Sequence, residues 1–205
     1  MIKIRTALNL GCGNKYYTSS DKNVKWINVD NWKGCSPDVL HNLNKFPYPF
    51  KTNSIDYIEM NGSLEHLKEW ERCLKELWRI CKKGKSTIYI EVPNFNYAWY
   101  HTYHEVAFNF QSIEVFHRYN SQEYFKVKKV YLKYTRSDNI FLKVFGYLFD
   151  FLANFAGTKS MFISDRIWGS WVGGFEALCF ELEPLKYKAY DHKKYNKKIY
   201  MKSEI

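Results

Sequence analysis

The chain has 205 residues, of which 46% are hydrophobic, 25% charged and 19% aromatic, a composition typical of one globular domain and not of a disordered or fibrous protein. Its five cysteines form no CxxC pair and no signal-peptide pattern precedes the first predicted strand, so we expect a reducing, cytoplasmic environment, with neither disulfides nor a metal site. The formal net charge of +10 means that nucleic acid and anionic membranes must be considered as partners.

The first predicted strand ends in a glycine turn. Its apolar run stops at Leu10, and the Gly-Cys-Gly turn at residues 11–13 follows directly, so a ligand can approach bare backbone at the end of a buried strand. A second strand, residues 26–29, then delivers Asp30, a carboxylate that can accept hydrogen bonds from both hydroxyls of a ribose. The two features together predict a nucleotide site.

A glycine pair alone often marks only a tight turn between a strand and a helix. In this chain Lys15 and Tyr16 stand where the third glycine of the dinucleotide fingerprint is expected. A nicotinamide-dependent oxidoreductase therefore ranks well below a protein that binds a smaller nucleoside cofactor.

Strands and helices alternate in the prediction for the first hundred residues, which favours a parallel sheet with crossover helices. Residues 54–60 alternate apolar and polar side chains as a strand does, and residues 64–81 place apolar side chains three and four positions apart, as in an amphipathic helix. Residues 87–92 form the next predicted strand, which Pro93 ends.

Beyond Pro93 the sequence predicts two insertions and two more strands. Residues 94–125 are rich in aromatic side chains and suggest an apolar, stacking pocket wall, and a second insertion covers residues 136–172. Strands are predicted at residues 127–134 and 175–182.

The apolar segment 139–155 is too short and too interrupted by polar residues to span a bilayer. It can cover the substrate pocket, form a dimer face or lie in a membrane interface as a peripheral contact. Lysines and tyrosines alternate in residues 187–205, a basic tail that we expect to be solvated and poorly ordered.

Several motifs resemble one family in both content and order. They are LNLGCGNK, INVD, DVLHNLNKFPYPFKTNSIDYIEMNGSLEHL, GKSTIYIEVPNF and the closing FEALCFELEPLK. The chain thereby resembles the class I S-adenosylmethionine-dependent methyltransferases, and among them the small methyltransferase type 11 proteins often linked to cell-surface biosynthesis. The resemblance covers most of residues 6–97 and a stretch near 175–186.

The resemblance implies a Rossmann-like α/β fold with a seven-stranded, mostly parallel sheet, an antiparallel last strand, helices on both faces and an aromatic-rich lid. It places a single methyltransferase domain in residues 1–186. It also implies S-adenosylmethionine as the cofactor, with Asp30 on the ribose hydroxyls. The other cofactor-binding residues that it implies are Asn9, Gly11, Cys12, Gly13, Asn31, Trp32, Asn42, Leu43, Asn61 and Gly62.

Two positions depart from the pattern of the family. Asn42 stands where relatives often have an acidic residue that recognises the adenine amino group, and Asp38 lies nearby as a second candidate. Gly62 and Ser63 replace a bulkier polar side chain, often histidine, above the methyl group. These departures keep open an alternative in which the protein retains the fold as a binding or scaffold protein.

Methyl transfer needs a nucleophile held in line with the methyl group and shielded from water, and positioning supplies most of the rate. The candidate catalytic residues are His66, Glu65 and His104, since a neutral imidazole or a carboxylate can take a proton from an acceptor hydroxyl. The expected acceptor is a small molecule, with a sugar or a cell-surface precursor as the first hypothesis. RNA is the second because of the positive charge, and the sequence does not indicate an oligomeric state.

Overall fold

The computed structural model describes residues 4–98, 101–134, 144–148, 151–152 and 175–192. Seven strands of the described chain form one sheet with the order β3-β2-β1-β4-β5-β7-β6. They are β1 (Arg5–Leu10), β2 (Val24–Asp30), β3 (Val39–Leu40), β4 (Tyr57–Asn61), β5 (Thr87–Pro93), β6 (Phe125–Tyr134) and β7 (Phe175–Pro184). The described helices are α1 (Trp70–Ile80), α2 (Phe95–Ala98) and α3 (Ser112–Tyr119), with 3-10 turns at Lys33–Cys35 and Leu64–His66.

Strand directions confirm the predicted Rossmann-like class I topology. β1 to β5 run parallel to one another, whereas β7 pairs antiparallel with both β5 and β6. β2 and β3 lie on one side of β1, whereas β4 and β5 lie on the other, so the strand order reverses at β1. Ligands of open α/β sheets bind at such a switch point, outside the carboxyl ends of the strands. The predicted glycine turn follows β1 and lies at this edge.

One face of the sheet carries the hydrophobic core. Alternate residues of β4 and β5 are buried, including Ile58, Met60 and Ile90, and they share a cluster with Leu74 and Leu77 of α1. The apolar positions of α1 recur at intervals of three and four residues, so they form one stripe that faces the sheet. Burial of each leucine side chain stabilises this contact by about 1.5–3 kcal/mol.

The predicted alternation of strands and helices is wrong for the first connections. Residues 11–23, between β1 and β2, form turns and irregular chain, and so do residues 41–56 before β4. The reason is local, because residues 11–23 contain two glycines and a run of serine, aspartate and asparagine but no apolar side chains at helical spacing. The glycine turn is therefore not followed by a helix.

The helix predicted over residues 64–81 begins only at Trp70. Its first part is the separate 3-10 turn at Leu64–His66, in which His66 N–H donates to the Ser63 carbonyl and Leu67 N–H to the Leu64 carbonyl. Apolar residues three positions apart suit a 3-10 turn as well as an α-helix. His66 thus lies in a turn before the helix, close to the end of β4.

The aromatic insertion contributes mainly to the core, which corrects the expected pocket wall. Phe108 and Phe116 are fully buried, and both rings contact Trp70 at the start of α1. By contrast, Tyr103 is exposed. A lid function for residues 94–125 stays a prediction, and most of the insertion at residues 136–172 lies outside the described residues.

The first part of the predicted basic tail is ordered. Tyr190 is buried, and its hydroxyl donates to Glu114 of α3 at 2.7 Å, while Lys188 pairs with Glu123. The prediction of a poorly ordered tail is thus wrong for residues 187–192, and residues 193–205 lie outside the described chain.

The described parts of the apolar segment 139–155 are helical at residues 144–148 and 151–152, and several of their side chains are exposed, among them Phe145 and Phe151. Within the described residues, no helix has the length and apolar character needed to cross a membrane.

Candidate functional site

The Gly-Cys-Gly turn is fastened to the end of the neighbouring strand. Gly11 N–H and Cys12 N–H both donate to the Val29 carbonyl, at 2.8 and 3.1 Å. Gly11 and Gly13 have φ angles of +73° and +47°, which L side chains adopt only at a cost. A Cβ on Gly11 would lie 2.1 Å from Ser63 Oγ, whereas a Cβ on Gly13 would meet no atom within 4 Å. Gly11 therefore serves close packing, and Gly13 borders open space.

Asp30 brings the two sequence signals together. One carboxylate oxygen accepts from Gly13 N–H at 2.8 Å, and the other accepts from Trp32 N–H at 2.9 Å. Each oxygen keeps a further lone pair for a ribose hydroxyl. Asn31 and Trp32 are both exposed, and Trp32 is 54% exposed with its ring packed over Gly34.

Asn9 supports the turn from below. Its side-chain amide donates to the Lys15 carbonyl at 2.7 Å and to Asn28 Oδ1 at 3.0 Å, and the residue is buried. The described structure therefore gives Asn9 a role in holding the turn. Cys12 is buried beside Cys35, and burial raises the pKa of the Cys12 thiol to about 12, so this thiol is protonated at neutral pH.

The loop after β3 approaches the same edge. His41 N–H donates to the Asp30 carbonyl at 2.8 Å, which brings the next residue, Asn42, near Asp30. Asn42 Oδ1 accepts from Asn44 N–H at 2.9 Å, and Leu43 is buried in the core. Asp38, the second adenine candidate, accepts from both the backbone and the side chain of Asn28.

Asn61, the last residue of β4, has a buried side-chain oxygen that a ligand could satisfy. Its amide nitrogen donates to Tyr17 Oη at 3.0 Å and to Glu59 Oε1 at 2.8 Å, but its buried Oδ1 has no hydrogen-bond partner among the described residues. Sequence reasoning missed Tyr17 and Glu59, although Glu59 lies on the same strand face as Asn61. Gly62 follows at φ +61°, exposed to solvent.

The three candidate catalytic residues lie together. One potential ligand atom from each of Glu65, His66 and His104 falls within 4.8 Å of the others, and the two imidazole centroids are 4.8 Å apart. The 3-10 turn supplies Glu65 and His66. His104 comes from the aromatic insertion, which is tied to the turn where Glu105 N–H donates to the Glu65 carbonyl at 2.8 Å.

The histidine cluster combines burial with exposure. Glu65 is only 2% exposed, and this burial raises the pKa of its carboxyl group. His66 lies at the solvent edge, and His101 stacks on His104 with centroids 4.7 Å apart. Because Ser63 Oγ donates to the Leu10 carbonyl at 3.2 Å, the cluster adjoins the glycine turn.

A separate cavity of about 580 Å³ lies elsewhere on the protein. It is formed by Thr52, Asn53, Lys82, Lys83, Lys85 and Lys186. Most of these residues precede β4 or β5, so the cavity lies at the amino ends of the strands, opposite the glycine turn. Its lysines therefore do not line the candidate site.

The residues at the carboxyl edge suit S-adenosylmethionine. Open space beside Gly13, the accessible Asp30 carboxylate and the unsatisfied Asn61 Oδ1 together offer backbone approach, a ribose acceptor and an acceptor for a donor group of the ligand. None of these features requires a metal or a pyrophosphate.

Comparison with known proteins agrees with this geometry. Residues 8–89 match the model of the family described as "Methyltransferase domain". The solved structure of an S-adenosylmethionine-dependent methyltransferase from Archaeoglobus fulgidus superposes on this chain with a TM-score of 0.57 at 15% identity, over 89% of this chain and 87% of that one. Phosphoethanolamine N-methyltransferase 2 from Haemonchus contortus, solved with S-adenosyl-L-methionine, has a TM-score of 0.59 at 15% identity, over 91% of this chain and 50% of that one.

The cyclase SpnF has the same fold, with a TM-score of 0.55 at 14% identity over 90% of this chain and 77% of that one. No curated protein matches the chain significantly. At such low identities the solved structures establish the fold, and the residues matched by the family model include the glycine turn and Asp30. The described chain therefore has the fold of the class I S-adenosylmethionine-dependent methyltransferases, and its residues 8–89 match the family described as "Methyltransferase domain".

Proposed function

We propose that the protein transfers a methyl group directly, in line, to a small acceptor bound beside the glycine turn, and that it does so in the cytoplasm. The observation that carries this proposal is the meeting of the turn at 11–13, Asp30 and the cluster of Glu65, His66 and His104 at one edge of the sheet. The first two features suit the cofactor, and the third suits an acceptor.

The cofactor supplies an electrophilic methyl group on a sulfonium, so the protein needs to position the acceptor rather than to activate the donor. Asp30 would hold the ribose, and Gly13 would leave its backbone open to the cofactor. The buried Asn61 Oδ1 would accept a hydrogen bond from the bound molecules. His66, Glu65 and His104 would contact the acceptor hydroxyl and take its proton.

The proposed acceptor is a sugar or another hydroxyl-bearing intermediate of cell-surface biosynthesis, as the family resemblance suggests. RNA is a weaker candidate, since the lysine-lined cavity lies at the opposite end of the sheet from the glycine turn. A binding or scaffold function remains the second candidate, because the cyclase SpnF shares the fold without being named as a methyltransferase. The departures at Asn42 and Gly62 favour this second candidate.

Calorimetric titration tests the cofactor site. The wild-type protein should bind S-adenosylmethionine and S-adenosylhomocysteine but not NAD. Asp30→Ala should weaken binding of both adenosyl ligands by about 1–3 kcal/mol, the usual cost of leaving polar partners unpaired, or roughly five- to 150-fold in Kd. Asp21→Ala is the matched control, because Asp21 pairs with Arg5 at the exposed start of β1. Equal affinities for the two variants would mean that the ribose site has been misplaced.

A transfer assay tests the acceptor. The protein would be incubated with methyl-labelled S-adenosylmethionine and either a set of nucleotide sugars or total RNA. Label in a sugar compound supports the proposal, and label in RNA contradicts it. Tight cofactor binding with no label in either fraction favours the scaffold alternative.

A further inference from the structure

The cluster of Glu65, His66 and His104 brings three hydrogen-bond acceptors together without a donor between them. His66 Nδ1 lies 3.0 Å from the Tyr103 carbonyl, and His104 Nδ1 lies 2.6 Å from the Ala98 carbonyl. A carbonyl oxygen can only accept, so Nδ1 carries the proton in both rings. The lone pair of each neutral imidazole is then on Nε2.

This arrangement is the one in which proteins hold metal-binding histidines. Such a histidine donates the N–H of one ring nitrogen to a carbonyl or carboxylate, which fixes the orientation of the ring and leaves the other nitrogen free for the metal. Both histidines of the cluster meet this condition through backbone carbonyls. The carbonyls belong to residues of the aromatic insertion, so the same segment orients both rings.

Glu65 supplies independent evidence for a cation. Its side chain is buried, its Oε2 has no hydrogen-bond partner in the described residues, and no ion pair to it is found there. A buried carboxylate normally pairs with a cation or coordinates a metal, because an isolated charge is costly to desolvate. The missing positive charge is what a divalent ion would provide.

We propose that Glu65, His66 and His104 bind a divalent transition-metal ion of the zinc type. Two imidazoles and one carboxylate are the protein ligands of several catalytic zinc sites, and they leave a coordination position open for water or substrate. Zinc bonds of about 2.0–2.1 Å hold tetrahedral ligands roughly 3.3 Å apart. One ring nitrogen of each histidine and one carboxylate oxygen lie within 4.8 Å of one another, so ligand atoms at that limit would have to approach by about 1.5 Å.

The position of the cluster gives the ion a role. Since the cluster adjoins the glycine turn through Ser63, the open position would bind the oxygen of the acceptor and lower its pKa. The hydroxyl proton leaves to solvent, the oxygen bonds to the methyl carbon, and the carbon–sulfur bond breaks with its electron pair remaining on sulfur. In this case His66 and His104 are metal ligands and not general bases. This role rests on the proposed function, whereas binding of the ion does not.

A second group of potential ligands lies nearby and must be separated by experiment. Cys12, Asp30 and Cys35 also come within metal-binding distance of one another. Both oxygens of Asp30 already accept backbone hydrogen bonds, and the group overlaps the ribose site. Glu65, by contrast, has an oxygen without a partner.

Metal titration of the untagged, full-length protein after treatment with a chelator tests the proposal. Zn²⁺, followed by calorimetry, should bind at one ion per chain. Co²⁺ should bind with the visible spectrum of a nitrogen and oxygen site, without the charge-transfer absorption that a thiolate ligand produces. Glu65→Gln and His104→Ala should each weaken binding about tenfold or more, since even loss of an outer partner of a ligand costs 10- to 100-fold.

Two control variants sharpen the test. His41→Ala removes a histidine outside the cluster, whose Nε2 contacts the Lys45 carbonyl, and Cys35→Ser removes a ligand of the competing group. Both should retain the affinity of the wild-type protein for Zn²⁺. The proposal is overturned if the wild-type protein does not bind Zn²⁺, if His104→Ala binds as well as the wild-type protein, or if Cys35→Ser abolishes binding.

Cofactor titration of the same variants separates this proposal from the proposed function. His104→Ala should retain its circular dichroism spectrum and its affinity for S-adenosylmethionine, since His104 lies on the acceptor side. A protein that binds Zn²⁺ through the cluster but does not bind S-adenosylmethionine would support the metal site and contradict the cofactor site.

Discussion

Gly11 is the position at which the packing of the cofactor turn can be tested most sharply. Its φ of +73° costs an L side chain about 1–2 kcal/mol. In addition, an alanine Cβ would lie 2.1 Å from Ser63 Oγ and 2.7 Å from Ser63 Cβ, and such overpacking typically costs about 1–3 kcal/mol. We therefore expect Gly11→Ala to lower the free energy of unfolding by about 2–5 kcal/mol.

Gly84→Ala is the matched control for backbone strain. Gly84 has a φ of +66°, but a Cβ there would meet no atom within 4 Å, so only the cost of about 1–2 kcal/mol for the left-handed conformation applies. Urea unfolding curves of both variants measure the difference, because stability falls linearly with denaturant. If Gly11→Ala costs no more than Gly84→Ala, the close approach of Ser63 to the turn is refuted.

Ser63→Gly provides the second arm of the experiment. It removes the two atoms that a Cβ on Gly11 would overlap and leaves Ser63 Cα at 4.0 Å. The double variant Gly11→Ala with Ser63→Gly should recover the clash component, which a double-mutant cycle isolates. Gly13→Ala has the same kind of strain but no clash, so we expect it to affect S-adenosylmethionine affinity more than stability.

Two further predictions concern pH and thiol chemistry. Burial lowers the pKa of His117 to about 4, although Glu114 and Glu123 oppose this shift. Below about pH 6.5 the His117 imidazole is therefore protonated in the unfolded state but stays neutral in the folded state. As the pH falls from 6.5 to about 4, the free energy of unfolding decreases by about 1.4 kcal/mol per pH unit, or about 3 kcal/mol in all. His117→Gln should remove this component from unfolding curves measured between pH 7 and pH 4, and an unchanged slope would contradict the burial of a neutral imidazole. All five cysteines are free and buried, and burial raises the pKa of most of these thiols to about 11 or 12. A thiol reagent at pH 8 should therefore modify them only in urea. Rapid reaction of a thiol in the folded protein would refute this prediction.

The strands were predictable because their side chains alternate around a buried face. The strand predicted over residues 87–92 matches β5 at Thr87–Pro93, and the strand predicted over residues 127–134 falls within β6 at Phe125–Tyr134. Alternation is a local property of sequence, and the sheet face preserves it. The antiparallel β7, however, followed from the family resemblance and not from any local pattern.

Helices were harder to predict than strands, since apolar spacing does not identify the hydrogen bonds that satisfy it. Leu64 and Leu67 are both buried and lie three residues apart, which fits an α-helix and a 3-10 turn equally well. The aromatic residues of 94–125 likewise suggested a pocket wall, whereas Phe108 and Phe116 fill the core. Contacts with Trp70, distant in sequence, decided this.

The sequence predicted that the parts of the candidate cofactor site would lie together because they follow strand ends, and parallel strands bring their carboxyl ends to one edge. Glycine turn and Asp30 therefore meet, at 2.8 Å between Gly13 N and Asp30 Oδ2. Asn9 was assigned to the cofactor by resemblance, yet its amide is directed to Lys15 and Asn28. A motif position identifies a residue that the site needs, but it does not distinguish support from contact.

The histidines of the cluster show where sequence reasoning ends. A general base and a metal ligand need the same residue type, the same neutral ring and a free lone pair, so His66 and His104 are equally suited to both roles by sequence. The difference lies in the surroundings: a single imidazole facing an acceptor suits a base, whereas two imidazoles beside an unpartnered buried carboxylate suit a cation. The carbonyls of Tyr103 and Ala98 accept hydrogen bonds from the Nδ1–H groups and so leave Nε2 of each ring free. Backbone carbonyls of an irregular loop cannot be recognised in the sequence.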